Sequence, residues 1–315
     1  MKPLFPYFGG KSKIASHVWQ ALDDCHYIEP FLGSAAVLLA RPESHIKNLA
    51  TVNDIDAFLS NTWRSLQKDV DTVAKWADYP VDECELRARH VWLLQNKEQL
   101  GVKLMGNVDY YDARAAGYWL YGMCAWIGGG FCSGKGPWWP DDNGVLTKRT
   151  AGPGISRPMP HLSDAGMGIN RTNTIIHDLL PLYVARLRNV RILCGDFERV
   201  LGPSVLNASG VAGVFLDPPY SKGMRGAGIY NNDADDVAAR VNHWCVGVTG
   251  KTRVVLAGYE GEHNNLEALG WTKYRWTGVN GYAGQRKEGV KDNHTLERIW
   301  CNPACNPITG LERGG

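Results

Sequence analysis

Apolar positions in this chain recur at two spacings. Ile14, Val18 and Leu22 lie one helical turn apart after a loop carrying Gly9 and Gly10, which predicts a glycine loop feeding a helix. Tyr27 and Ile28, the turn Glu29–Ser34 and the apolar run Ala35–Ala40 read as strand, tight turn and helix. Leu49 to Val52 reads as a second strand ending in Asn53-Asp54. Leu59, Trp63, Leu66 and Val70 then predict one face of a helix with Asp56 as its N-cap. Residues 82–100 read as helical, with Leu86, Leu93 and Leu94 among many charges.

Beyond a glycine-rich middle the alternation of strand and helix resumes. A helix around residues 177–189 leads into a strand over Val190–Cys194, and Val214-Phe215-Leu216 is a short buried strand. Asp233 opens a helix with Val237, Val241, Trp244 and Val248 on its core face, and Arg253–Ala257 is the next strand. Residues 271–276 and 295–300 alternate like a terminal antiparallel pair. From Asn302 the chain is rich in Pro and Gly and is expected to fray. The fold class is therefore α/β, with a mostly parallel sheet, an antiparallel C-terminal pair and an inserted helical, loop-rich region.

Composition narrows the class. The chain has 315 residues, 44% hydrophobic and 21% charged, which suits one large domain with an insertion or two modest ones. Without an apolar run long enough for a bilayer, or a signal-peptide pattern at the start, a cytoplasmic location is expected. The eight cysteines then read as reduced thiols. Cys301 and Cys305 are the closest pair, but no partner set completes a zinc site, so no metal is expected. The net charge of +2 leaves any contact with phosphates to a local patch.

Candidate chemistry sits where predicted strands stop. Glu29, Asp54, Asp196 and Asp217 each close one, and ligands of open α/β sheets bind beyond such ends. The sharpest is Asp217-Pro218-Pro219-Tyr220. The Asp217 carboxylate and the Pro218 carbonyl can each accept a hydrogen bond from the exocyclic amine of a nucleobase, and Tyr220 offers a face for stacking an extruded base. Asp54 suits ribose hydroxyls, and Asp196 beside Phe197 suits the amino group and ring of an adenine. Asp196 also reads as a helix N-cap. Two phosphate-loop readings fail. Phe5 replaces the first glycine before Gly10-Lys11-Ser12, and Gly136 replaces the hydroxyl residue after Gly134-Lys135.

Together these motifs resemble the Dam-type (alpha-group) DNA adenine-N6 methyltransferases. The resemblance covers both ends of the chain, with Asp217, Pro218, Pro219 and Tyr220 as the catalytic motif of a Rossmann-like methyltransferase core. It implies S-adenosylmethionine as cofactor, its methionine end held by Tyr7, Gly9, Gly10 and Lys11. Glu29, Pro30, Phe31, Gly33, Asp54, Asp196, Phe197 and Asp217 would complete its site. The family's Phe-x-Gly-x-Gly pattern is broken at Ala35. The implied division is a catalytic domain of residues 1–63 and 177–315 around a target-recognition insertion of residues 64–176. DNA would meet Lys135, Lys148, Arg149, Arg157 and Arg171 in the insertion, and Lys222 and Arg225 in the basic loop after Tyr220.

The reaction so implied is sequence-specific methyl transfer to N6 of a flipped-out adenine in double-stranded DNA, with a separate cognate endonuclease as a possible partner. Methylation of cytosine N4, and a non-catalytic DNA-binding protein on the same fold, are the alternatives.

Overall fold

The computed structural model describes residues 1–5, 7, 9–107, 109–126, 131–132, 138–140, 146–148, 176–219, 233–276 and 297–314. The described strands are β1 (His26–Glu29), β2 (Ala50–Asp54), β3 (Trp138–Pro140), β4 (Leu146–Lys148), β5 (Val190–Cys194), β6 (Ala212–Leu216), β7 (Arg253–Tyr259), β8 (Thr272–Arg275), β9 (Glu297–Cys301) and β10 (Glu312–Arg313). The described α-helices are α1 (Ala15–Leu22), α2 (Ala36–Leu39), α3 (Ala57–Lys68), α4 (Val70–Ala77), α5 (Glu83–Gly106), α6 (Ala113–Ala125), α7 (Ile176–Arg186), α8 (Pro203–Leu206) and α9 (Asp233–Gly247). They fall into two compact units. One comprises Met1–Pro3, Gly9–Asp54 and Asn189–Gly315, the other Leu4–Phe8 and Ile55–Arg188.

The first unit is built on an eight-stranded sheet of order β10-β8-β9-β7-β6-β1-β2-β5. β5, β2, β1, β6 and β7 run parallel, and β9 is antiparallel to both β7 and β8, with Tyr274 opposite Ile299. This is the expected mixed α/β architecture, mostly parallel with an antiparallel C-terminal pair. All five residues of β6 are buried, as an apolar run in the middle of a parallel sheet requires. Ile28, Val214, Leu216, Val254, Leu256 and Trp300 form a core closed by Val241 and Cys245 of α9. The strand order reverses at β1, which lies between β2 and β6. In open α/β sheets the crevice beyond the carboxyl ends at such a point is where ligands bind.

Two local expectations are corrected. A single helix face was read through Val70, but Asp69 leaves helical backbone (φ −155°, ψ 64°) and its side chain caps α4 by accepting from Thr72 N at 3.2 Å. The C-terminal segment is pinned instead of frayed. Asn302 Oδ1 accepts from Val254 N at 2.9 Å, Asn306 N donates to the Ala21 carbonyl at 3.0 Å, and β10 pairs with β8.

Among its described residues the second unit is helical apart from the β3–β4 ribbon. Asp56, Asp82 and Asp112 cap α3, α5 and α6, each accepting a backbone N–H at 2.8–2.9 Å and satisfying amides that the first turn leaves unpaired. The aromatic run beginning at Tyr118 serves this core. Trp119 meets Phe5 edge-on at 4.9 Å, and the buried guanidinium of Arg89 lies 4.4–4.5 Å from the rings of Tyr79, Tyr118 and Tyr121.

Candidate active site

The strand ends of the first unit bring together three carboxylates and one ammonium. Lys11 is buried at 4% exposure. Its Nζ donates to the Gly9 carbonyl at 2.8 Å, lies 3.0 Å from Asp217 Oδ1, and sits 6.0 Å from the centre of the Trp276 ring. Asp217 follows β6 directly, and its side chain keeps 20% of its surface accessible. Pro218 is buried and Pro219 half-buried beside it. An ammonium and a carboxylate this close hold each other in place, so the acidic residue of the motif is oriented before any substrate arrives.

Glu29 closes β1 and is 3% exposed, with Oε2 lacking any hydrogen-bond donor among the described residues. Burial pushes its carboxyl well above the usual carboxylate range. The Tyr27 hydroxyl, close enough to favour the charged form without forming a well-aligned hydrogen bond, offsets this in part, while the charges of Asp217 and Asp54 raise the pKa further. An acid so placed takes its charged form readily only when a cation arrives.

Asp54 ends β2, and its Oδ2 accepts from Gly33 N at 2.9 Å, which fixes the turn after β1. That turn passes through left-handed backbone twice, at Gly33 (φ 48°) and at Ala35 (φ 55°, ψ 28°). The second position explains why a glycine suits it and marks Ala35 as strained. After β5, Asp196 does cap a helical turn, accepting from Glu198 N at 2.9 Å, and it also accepts from Arg240 at 2.9 Å. Phe197 stacks on Phe31 with ring centres 5.2 Å apart, and the Arg240 guanidinium lies 4.7 Å from the Phe197 ring centre.

Glu29, Pro30, Phe31, Gly33, Asp54, Asp196, Phe197, Asp217, Gly9, Gly10 and Lys11 thus all belong to the sheet unit. Tyr7 belongs to the helical unit, exposed and edge-on to Phe5 at 6.3 Å. Tyr220, Lys135, Arg149, Arg157, Arg171, Lys222 and Arg225 lie outside the described residues, as does the side chain of Lys148 in β4. Two residues of the site carried no sequence signal. Trp276 lies beneath Lys11, and Asn53 ties together the turns after β1 and β5. Among the described residues no group of three or more His, Cys, Asp or Glu side chains is arranged to hold a metal, and no helix is long and apolar enough to cross a membrane.

No curated protein matches the chain. Residues 7–100, which carry the Gly9–Lys11 loop, Glu29, Gly33 and Asp54, match the family model of the D12 class N6 adenine-specific DNA methyltransferases. That match indicates an adenine-N6 DNA methyltransferase, and the sheet sets an Asp-Pro-Pro at the end of β6.

Proposed function

We propose that the enzyme transfers the methyl group of S-adenosylmethionine to N6 of an adenine rotated out of duplex DNA. The observation that carries this reading is the Lys11–Asp217 pair at the end of β6 beside the buried Glu29 at the end of β1, whose Oε2 has no donor among the described residues. One buried cation and one buried acid form a complementary set for the carboxylate and ammonium of an amino-acid moiety. When bound, S-adenosylmethionine would supply an electrophilic methyl whose bond to sulfur breaks as the bond to N6 forms, a neutral thioether leaving and the methylated amine giving up one N6 proton to solvent.

The protein's own part is binding and alignment. Glu29 accepts from the ammonium, Lys11 holds the carboxylate, Asp54 takes the ribose hydroxyls, and Asp196 with Phe197 meets the adenine of the cofactor. Asp217 and the Pro218 carbonyl accept the two N–H groups of the target amine. This draws its lone pair out of the ring and towards the methyl, and Tyr220 stacks on the base. Lys11 contacts Asp217 at Oδ1, and a carboxylate keeps further acceptor sites for the N–H of N6. The helical unit, with Lys135, Lys148, Arg149, Arg157 and Arg171, contacts DNA in this reading, and Lys222 and Arg225 contact it next to the flipped base.

Incubation with methyl-labelled S-adenosylmethionine and unmethylated duplex DNA, followed by mass spectrometry of the nucleosides, tests the reading. N6-methyladenine is the expected product. Exclusive N4-methylcytosine overturns the assigned base, and the absence of labelled nucleoside overturns the reaction.

A further inference from the structure

We infer that Asn53 is a positioning residue for the cofactor crevice, an inference that rests on the S-adenosylmethionine reading above. Asn53 is the penultimate residue of β2, the strand between β1 and β5, and it is 1% exposed. Its Nδ2 donates both hydrogens across strand boundaries, to the Pro30 carbonyl at 3.1 Å and to the Gly195 carbonyl at 2.9 Å. Pro30 opens the turn that carries Phe31 and Gly33, and Gly195 opens the turn that carries Asp196 and Phe197. One amide therefore sets the separation of the two turns that hold the cofactor residues.

The neighbouring backbone bonds follow the same plan. Leu32 N donates to the Asn53 carbonyl at 2.9 Å, and Gly195 N donates to the Asp54 carbonyl at 3.1 Å. Phe31 and Phe197, one from each turn, stack across the gap. Both carbonyls lie just past the ends of their strands, where no ladder partner reaches them, so they need a donor from a side chain. A planar head with two donors, on a stem short enough to stay within β2, meets that need. Aspartate has the same shape but would set a carboxylate against two carbonyl oxygens, and serine has one donor only. Asn53 Oδ1 is buried and finds no donor among the described residues, an unfavourable feature that a side chain kept for packing alone would not carry. The residue is held for its nitrogen.

Asn53→Asp and Asn53→Ser in the full-length enzyme test this. The readouts are the S-adenosylmethionine dissociation constant by calorimetry, the steady-state split of KM against kcat, and affinity for duplex DNA. Asn53→Asp should raise the dissociation constant and KM for S-adenosylmethionine about 10- to 100-fold, with kcat within about threefold of wild type. Asn53→Ser, with one donor left, should fall between the two, and DNA affinity should not move. If Asn53→Asp does not fold, Asn53→Ser alone decides. A folded variant that binds S-adenosylmethionine as wild type does, even with a lower melting temperature, overturns the inference. Wild-type enzyme that binds no S-adenosylmethionine overturns the cofactor reading instead.

Discussion

Replacing Glu29 by Gln keeps the shape of the side chain at the end of β1 and removes its capacity to ionise. In the folded chain this carboxyl is buried, its Oε2 has no donor, and Asp217 and Asp54 add negative charge nearby, so folding raises its pKa. The unfolded chain titrates this group near ~4.3. Below that pH wild type and variant both carry a neutral side chain and should be equally stable. Above it the unfolded wild type ionises while the folded form resists. The variant should therefore gain relative stability by up to about 1.4 kcal/mol per pH unit, until the folded pKa is reached.

Near pH 7.5 the advantage of Glu29→Gln should amount to about 1–3 kcal/mol, the cost of a buried acceptor left unsatisfied. That corresponds to a rise in melting temperature of about 2–4 °C per kcal/mol. Cofactor binding should move the other way. Losing a charge-assisted hydrogen bond to the ammonium removes about 1.5–3 kcal/mol, or about 10- to 100-fold in affinity. Wild-type binding should also release a proton, which calorimetry detects as an enthalpy that depends on the ionisation heat of the buffer. Thermal melts of both proteins from pH 4 to 8, with titrations of S-adenosylmethionine at neutral pH, check both halves. Melting temperatures that stay equal across that range would refute the raised pKa, and unchanged affinity would remove Glu29 from the site.

Other perturbations separate structure from function. Lys11→Met deletes the ammonium beside Asp217 and should lower stability by about 1–3 kcal/mol by denaturant melt, because the partly buried Asp217 loses its ion pair with Lys11. The same variant should raise KM for S-adenosylmethionine at least about 10-fold, and an unchanged KM would count against its role. Ala35→Gly relieves left-handed backbone worth about 1–2 kcal/mol but gives up a buried methyl worth about 0.8 kcal/mol and adds freedom to the unfolded chain. Its unfolding free energy should stay within about 1 kcal/mol of wild type, and a larger loss would show that the strain is not there. Gly117→Ala would set a Cβ 2.5 Å from Trp76 Cβ and 2.9 Å from the Val73 carbonyl where α6 crosses α4. A loss of about 1–3 kcal/mol in a chemical melt is expected, and an unaffected melt would contradict that packing.

Much of this candidate site was readable because acidic residues and strand ends coincide. Short apolar runs stopped by Glu29, Asp54, Asp196 and Asp217 are what a parallel sheet looks like when acidic residues stand at its carboxyl ends. Asp56 as a cap was legible for a similar reason, since its side chain serves its own helix within three residues. What distant residues decide was not legible. Asn53 acquires its role only because the topology sets β2 between two strands far apart in sequence, and Trp276 meets Lys11 only through the sheet order. The C-terminal Pro and Gly residues suggested fraying because local composition carries no sign of the bonds from Asn302 and Asn306 to β7 and α1. Val70 fitted the periodicity of α3, but the hydrogen bond that Asp69 makes to Thr72 starts a new helix.

The central claim is that Asp217 directs the lone pair of N6 towards the methyl. Single-turnover methyl transfer by Asp217→Ala, with enzyme saturated by S-adenosylmethionine and by duplex DNA, tests it most directly. The rate should fall at least about 10³-fold, while the variant still binds S-adenosylmethionine in calorimetry. Transfer within about tenfold of the wild-type rate would contradict the account.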